Sequence, residues 1–145
     1  WNTDFKMDDL ELVTRHYRCC DGDEYFISYE HTKLDKICGF IRLRLTPNAG
    51  MDIFDSLKDS ALIRELHVYG KVVSTYETNK EVQNIGLGSN LLKMAEQKGL
   101  EMGFNKFSII SGVGVRGFYR KHGYELVEDG EFMQKIIPLE KMNIE

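Results

Sequence analysis

Proline is nearly missing from this chain of 145 residues: only Pro47 and Pro138 interrupt it, leaving most of the sequence free to enter strands and helices. Cysteine is scarce too. Cys19, Cys20 and Cys38 make no C-x-x-C pair, and adjacent cysteines are a poor disulfide or metal fork, so reduced thiols of a cytosolic protein are expected. His16, His31 and His122 have no partners at ligand spacing, and no metal is expected. No stretch approaches the roughly 18 apolar residues of a membrane span, and no charged-then-apolar leader opens the chain. Basic residues are not in excess: 19 Lys and Arg face 23 Asp and Glu, a net charge of −4 that argues against a free-standing nucleic-acid binder. There is no internal repeat or low-complexity segment, and no initiator Met precedes Trp1. Together these absences predict a soluble intracellular domain cut from something longer.

What is present supports one domain with one ordinary core, since 42% of the residues are hydrophobic. The stretches 10–17 and 24–30 alternate like strands on either side of the Asp21-Gly22 turn signal and predict a hairpin. A third strand is expected over 36–45, with Ile37, Ile41, Leu43 and Leu45 on one side and Arg42 and Arg44 on the other. Residues 46–60 read as loop with one helical turn around Ile53, Phe54 and Leu57, and 61–70 as a strand ended by Gly70, followed by a polar segment over 71–81. From Leu87, apolar residues recur at helical spacing through Leu91, Met94, Ala95 and Met102, and Gly103 is a natural stop. The stretch 106–110 then completes a strand, glycine loop, helix and strand: one βαβ unit. A short helix ending at Gly123 and a closing hairpin around Asp129-Gly130 finish the chain.

Gly86 and Gly88 stand at the mouth of the long helix, where bare backbone N–H groups and the positive end of the helix dipole make a seat for phosphate. A Walker loop would need Gly-Lys-Ser/Thr where Ser89-Asn90 follows, and a dinucleotide fingerprint would need a small residue at Leu91. A glycine-softened helix start is the alternative.

Gln83-x-x-Gly86-x-Gly88 opening a helix, with "FYRKHGY" (118–124) roughly thirty residues on, resembles the acetyl-coenzyme A signature of the GNAT acyltransferase superfamily. The stretches "IRELHVYG" (63–70), "IISGVGVRGFYRKHGYEL" (109–126) and "GFIRLR" (39–44) further resemble the C-terminal acetyltransferase domain of the catalytic subunit of Elongator, the tRNA wobble-uridine modifying complex. Similarity runs from about Leu10 to Lys135, with a core over 10–137. The resemblance implies an α+β GNAT fold: a mixed, mostly antiparallel sheet with a central splayed βαβ unit and few helices. It also implies acetyl-CoA as co-substrate, tRNA and other Elongator subunits as partners, no membrane, and a location in the cytoplasm extending to the nucleus. In that family a radical domain holding an iron–sulfur cluster and S-adenosylmethionine precedes the acetyltransferase domain; nothing here matches its cysteine motif. The chain is a divergent member. "QNIGLG" puts Asn84 and Ile85 where the family has two polar residues, Phe118 replaces one of two tyrosines, and Glu131 and Phe132 alter a Gly-Pro-Tyr-Met stretch.

The same resemblance implies the site. Gln83, Asn84, Ile85, Gly86, Leu87, Gly88 and Ser89 would hold the pyrophosphate, and Leu66, His67 and Val68 would lie beside the pantetheine arm. Phe118 and Tyr119 would sit near the thioester, with the Tyr119 hydroxyl protonating the leaving thiolate; the alternatives are packing for Phe118 and a core tyrosine on a short helix for Tyr119. A two-residue period puts Ile63, Glu65, His67 and Tyr69 on one face of their strand and Arg64, Leu66 and Val68 on the other. Glu65 or His67 is then a candidate base; alternatively Glu65 pairs with a nearby Arg and His67 is merely hydrogen-bonded. Tyr124 reads as packing, and Arg116, Arg120 and Lys121 as phosphate-lining, nucleic-acid-facing or solvated. Ser111 to Gly114 reads as a second flexible turn. A tight first hairpin leaves no room for the helices that usually wall the superfamily's acceptor site, so that wall is expected from the radical domain. Three functions stay open: acetyl supply for 5-carboxymethylation of wobble uridine, N-acetylation of protein lysines including histones, and a non-catalytic acyl-CoA module.

Overall fold

A computed structural model describes residues 4–47, 55–69, 71–73, 84–110, 113–127 and 132–138. Strand β1 (Asp4–Lys6) leads into the long hairpin of β2 (Leu10–Cys19) and β3 (Gly22–His31), and β4 (Lys36–Leu45) adds to it. The positive-φ residues at the tip are Cys20 and Asp21, at 51° and 62°, so the hairpin turns one residue earlier than Asp21-Gly22 suggests. Gly22 opens β3 opposite Cys19, and a Cβ there would meet the Arg44 guanidinium at 3.0 Å. That guanidinium donates to the Cys19 and Cys20 carbonyls.

After a 3-10 turn at Asp55–Leu57 come β5 (Ala61–Val68), β6 (Lys71–Val73) and β7 (Asn84–Ile85). Helix α1 (Leu87–Glu101), β8 (Lys106–Ile109), α2 (Arg116–Lys121), β9 (Glu125–Val127) and β10 (Phe132–Ile136) follow. The main sheet runs β2-β3-β4-β5-β8-β10-β9, and its one parallel contact among the described residues is β5 with β8. A small second sheet, β1-β6-β7, is not anticipated from the sequence, and its β6 falls in the stretch read as a polar segment. Ile53, Phe54 and the Asp129-Gly130 turn lie outside the described residues.

Helix α1 lies on one face of β3, β4 and β5, burying Leu87, Leu91, Leu92 and Ala95 against Ile27, Tyr29, Ile41, Leu43 and Ile63. Gly103, at φ 95°, ends the helix as expected. Two β-bulges break the alternation that the sequence predicts. Tyr29 pairs with Gly39 but Glu30 with Ile37, so Cys38 is an extra residue; it is buried, and Ile37 turns out to 40% exposure instead of joining Ile41. The second bulge lies in β5 and shapes the site.

Candidate active site

Strands β5 and β8 pair through Ala61–Phe107, Leu62–Ser108 and Ile63–Ile109, and there the ladder stops. Among the described residues, β5 continues to Val68 on β4 alone. Its free edge beyond Ile63 therefore offers backbone N–H and C=O groups to an added extended ligand. The strands part around a cleft of about 190 Å³, with Ile63 to His67 on one wall and Ile109, Ile110, Val115 and Tyr119 on the other.

The β5 bulge sits at this parting. Arg42 pairs with Glu65 and Leu43 with Ile63, leaving Arg64 as the extra residue. Ile63 consequently does not share the face of Glu65 and His67: it is buried with Leu43 under α1, while Leu66 packs against the same core. Glu65, His67 and Tyr69 do share a face, the one α1 leaves open. Glu65 accepts from Arg42 Nη1 at 3.0 Å, and its other oxygen lies 3.6 Å from His67 Nε2. The Arg42 hydrogen bond holds the Glu65 carboxyl below the ordinary range, so Glu65 stays ionised and is a weak base. His67 is exposed, its ring between Phe40 at 5.2 Å and Tyr69 at 6.1 Å.

Val68, next to His67 on β5, and Phe118, next to Tyr119, lead from the cleft to the entrance of α1. Gly86 is its N-cap, with no side-chain cap and no acidic residue in the first turn, so the first N–H groups keep their capacity for an anion. Neither glycine is demanded by the fold. Gly86 has φ −73°, and a Cβ on it would meet only Ser89, at 3.5 Å. A Cβ on Gly88 would touch Phe118 at 3.5 Å and Val68 at 3.6 Å, both ordinary contacts. Open backbone that the protein itself does not need fits the close approach of a pyrophosphate. The same contacts show that α1, the end of β5 and α2 converge around Gly88.

Tyr119 is buried on α2, edge-on to Phe118 at 5.1 Å and to Tyr124 at 6.0 Å. Burial pushes its phenol up, which keeps the hydroxyl protonated near neutral pH, as a proton donor requires. Phe118 lies beside Gly88. Tyr124 is packing, as expected, with its hydroxyl donating to Glu96 at 2.7 Å.

Thus Glu65, Leu66, His67 and Tyr119 line one cleft, with Val68, Gly86, Leu87, Gly88, Ser89 and Phe118 grouped at or beside the helix entrance. Asn84 and Ile85 form β7 immediately before it, and Gln83 lies outside the described residues. Arg120 and Lys121 are exposed at the end of α2. Ser111 and Gly112 lie outside the described residues, and 113–115 form a 3-10 turn. Sequence reasoning missed Arg42 as the partner of Glu65, which cross-strand register alone reveals, and the contact of Ser89 with His122. No group of three or more potential metal ligands occurs among the described residues, and none of their helices is long and apolar enough to cross a membrane.

The Acetyltransferase (GNAT) family matches residues 1–124. Elongator complex protein 3 of Saccharomyces cerevisiae is 42% identical over 134 residues, covering 90% of this chain and 24% of its own length. That of Schizosaccharomyces pombe is 41% identical over 130 residues, covering 88% of this chain and again 24% of its own length. This chain therefore spans less than two thirds of the curated relatives it matches. Among solved structures, an archaeal Methanocaldococcus infernus Elp3 superposes with a TM-score of 0.69 at 33% identity, over 90% of this chain and 30% of that one. Tetrahymena GCN5 superposes with a TM-score of 0.51 at 14% identity, over 79% of this chain and 69% of that one, a likeness of fold alone. Sequence and architecture agree, and the chain belongs to the acetyltransferase (GNAT) family.

Proposed function

We propose that this chain is the acetyl-CoA-binding domain that supplies the acetyl group for 5-carboxymethylation of wobble uridine in tRNA, within an Elongator assembly. Similarity to Elongator complex protein 3 over nine-tenths of the chain supports the biological setting. The observation that carries the chemistry is the convergence of an uncapped, glycine-lined helix entrance with a cleft between two parted strands.

Acetyl-CoA supplies an activated acyl group as a thioester. The N–H groups of Gly86 to Ser89 hold its pyrophosphate, and the free edge of β5 from Arg64 to Val68 orients the pantetheine arm. Tyr119 donates its phenolic proton to the departing sulfur. His67 is the better placed proton acceptor, because Glu65 is committed to Arg42 and serves to steady an imidazolium beside it. The open sheet face of Phe40, His67 and Tyr69 is where an acceptor arrives, and the first hairpin adds no helix to wall it. The wall, the iron–sulfur cluster and S-adenosylmethionine belong to the partner radical domain of the family.

Calorimetric binding of acetyl-CoA and desulfo-CoA, with thioester hydrolysis followed with and without tRNA, tests this reading. Binding with tRNA-dependent hydrolysis supports it. Binding with tRNA-independent transfer to a basic peptide would move the assignment to protein lysine acetylation, and binding without cleavage to an acyl-CoA-binding module. No binding would remove the site.

A further inference from the structure

Ser89, in the first turn of α1, has its Oγ 3.0 Å from Nε2 of His122, the residue that follows α2. The imidazole is half-buried and lies 4.9 Å from the Phe118 ring, which in turn lies beside Gly88. His122 is thus held against the helix entrance by two contacts, and nothing in the acyl-transfer chemistry above uses it. We propose that His122 is a positioning residue for the diphosphate of the nucleotide ligand: it sets the direction of the Ser89 hydroxyl, and its protonation strengthens the seat. The proposal rests on reading the α1 entrance as that seat.

The two states of the imidazole do different things. With Nε2 unprotonated, Ser89 donates its hydroxyl proton to the ring and turns that proton away from the entrance. In the cation both ring nitrogens carry protons, so Nε2 can only donate to Ser89 Oγ, and the serine proton is free to point at a phosphate oxygen. A protonated ring also brings a positive charge behind the serine. The charged surroundings decide when this happens. On α2 the neighbours are Arg120 and Lys121, and on α1 Lys93 lies one turn beyond Ser89. On β10, Lys135 approaches Gly123 but is engaged with Glu96 at 3.2 Å, and that carboxylate is also taken by Tyr124. A diphosphate dianion arriving at the entrance favours the positively charged form of the ring. Ligand binding therefore takes up a proton, and affinity rises as pH falls through the histidine range.

The probe is dephospho-coenzyme A, because the 3′-phosphate monoester of coenzyme A itself titrates near about 6 whereas the pyrophosphate diester stays ionised. Calorimetry on the chain from about pH 8 to about pH 5.5 spans the ordinary histidine range. The expected gain in affinity on acidification is about tenfold, the scale of one charge-assisted hydrogen bond, with a buffer-dependent enthalpy marking proton uptake. His122→Gln keeps a hydrogen bond to Ser89 without titrating, and should bind as the parent does at high pH with a flat profile. Ser89→Ala keeps the imidazole and its charge, removes the relay, and should leave a shallower profile than the parent's. An unchanged pH dependence in both variants would overturn the proposal and leave the diphosphate seat standing. Absence of binding by the parent at every pH would overturn the seat itself, and the role of His122 with it.

Discussion

Gly88 and Gly99 lie on one helix under opposite constraints. A Cβ on Gly99 would come within 2.5 Å of Phe107 Cε2 and 2.7 Å of its Cζ, and that ring is fully buried with nowhere to retreat. Gly99→Ala should therefore cost about 1–3 kcal/mol of stability through overpacking, read by chemical denaturation. Gly88→Ala should leave stability unchanged or raise it by up to about 1 kcal/mol, since alanine is the better helix former and its Cβ would make only ordinary contacts with Phe118 and Val68. It should nonetheless weaken coenzyme A binding about tenfold or more, because its methyl group occupies the approach to the backbone donors. Equal affinity in parent and variant would return Gly88 to a helix start and nothing more. Tyr119→Phe should slow thioester cleavage by about 10²-fold, the lower end for a general acid, with affinity changed by less than about 1 kcal/mol. Collapse of folding would instead mark Tyr119 as a core residue. Gly86, Gly88 and Tyr119 are legible in the sequence because each belongs to a local pattern, whereas the tight approach of Gly99 to Phe107 is visible only in the structure. The Ser89–His122 contact is not, because 33 residues separate its partners and only the packing of α2 against α1 joins them.

At the scale of elements, the strand limits over 36–45 and the helix start at Leu87 can be read directly from alternation and spacing. The faces cannot. Each bulge adds one residue, and one residue turns every later side chain in a strand to the opposite side. That is why Ile37 is exposed and why Ile63 parts company with Glu65 and His67. The hairpin of β2 and β3 shows a second kind of information missing from local pattern, the pairing of charges across strands. Asp23 accepts from His16 at 2.7 Å and Arg18 at 2.9 Å, and Glu30 from Arg15 at 2.6 Å and Ser28 at 2.7 Å. The His16 bond, then the Arg18 bond, hold the Asp23 carboxyl below its ordinary value; for Glu30 the Arg15 bond leads and Ser28 follows. A depressed carboxyl adds stability that is complete above the ordinary carboxylate range, near about 4, and is lost as pH falls through the lower folded value. Hydrogen exchange should therefore show the β2–β3 amides opening faster as pH drops below about 4, ahead of those in α1, once the intrinsic pH dependence of exchange is divided out. The pairs are solvent-accessible, so added salt should shrink the difference. Uniform opening of hairpin and helix would mean that these pairs add nothing local.

Across the whole molecule, the cleft works only if α1, which carries the entrance, keeps its place relative to α2, which carries Tyr119. Their sequence connection runs through β8, whose ladder with β5 has only three pairs. A buried polar junction joins them more directly. Glu96 of α1 accepts from Tyr124, just beyond α2, at 2.7 Å and from Lys135 of β10 at 3.2 Å, and the Lys135 ammonium lies 5.6 Å from the Tyr124 ring centroid. Burial, and then the charge of Glu96, push the Tyr124 phenol up, so it remains a donor. Tyr124 also meets Tyr119 edge-on, which ties this junction to the proton donor. Removing the carboxylate would leave a buried phenol and a half-buried ammonium without their acceptor. Glu96→Ala should cost about 2–3 kcal/mol, appearing as a melting point about 5–10 °C lower for a domain of this size. Glu96→Gln keeps an oxygen for Tyr124 while losing the charge opposite Lys135, and should cost less than half as much. If the junction also sets the spacing of the two walls, Glu96→Ala should slow thioester cleavage well below the melting temperature, with a smaller effect on coenzyme A affinity, since the backbone donors travel with α1. Loss of stability with cleavage unchanged would confine Glu96 to holding the fold and leave the placement of Tyr119 to the aromatic contacts of α2 alone.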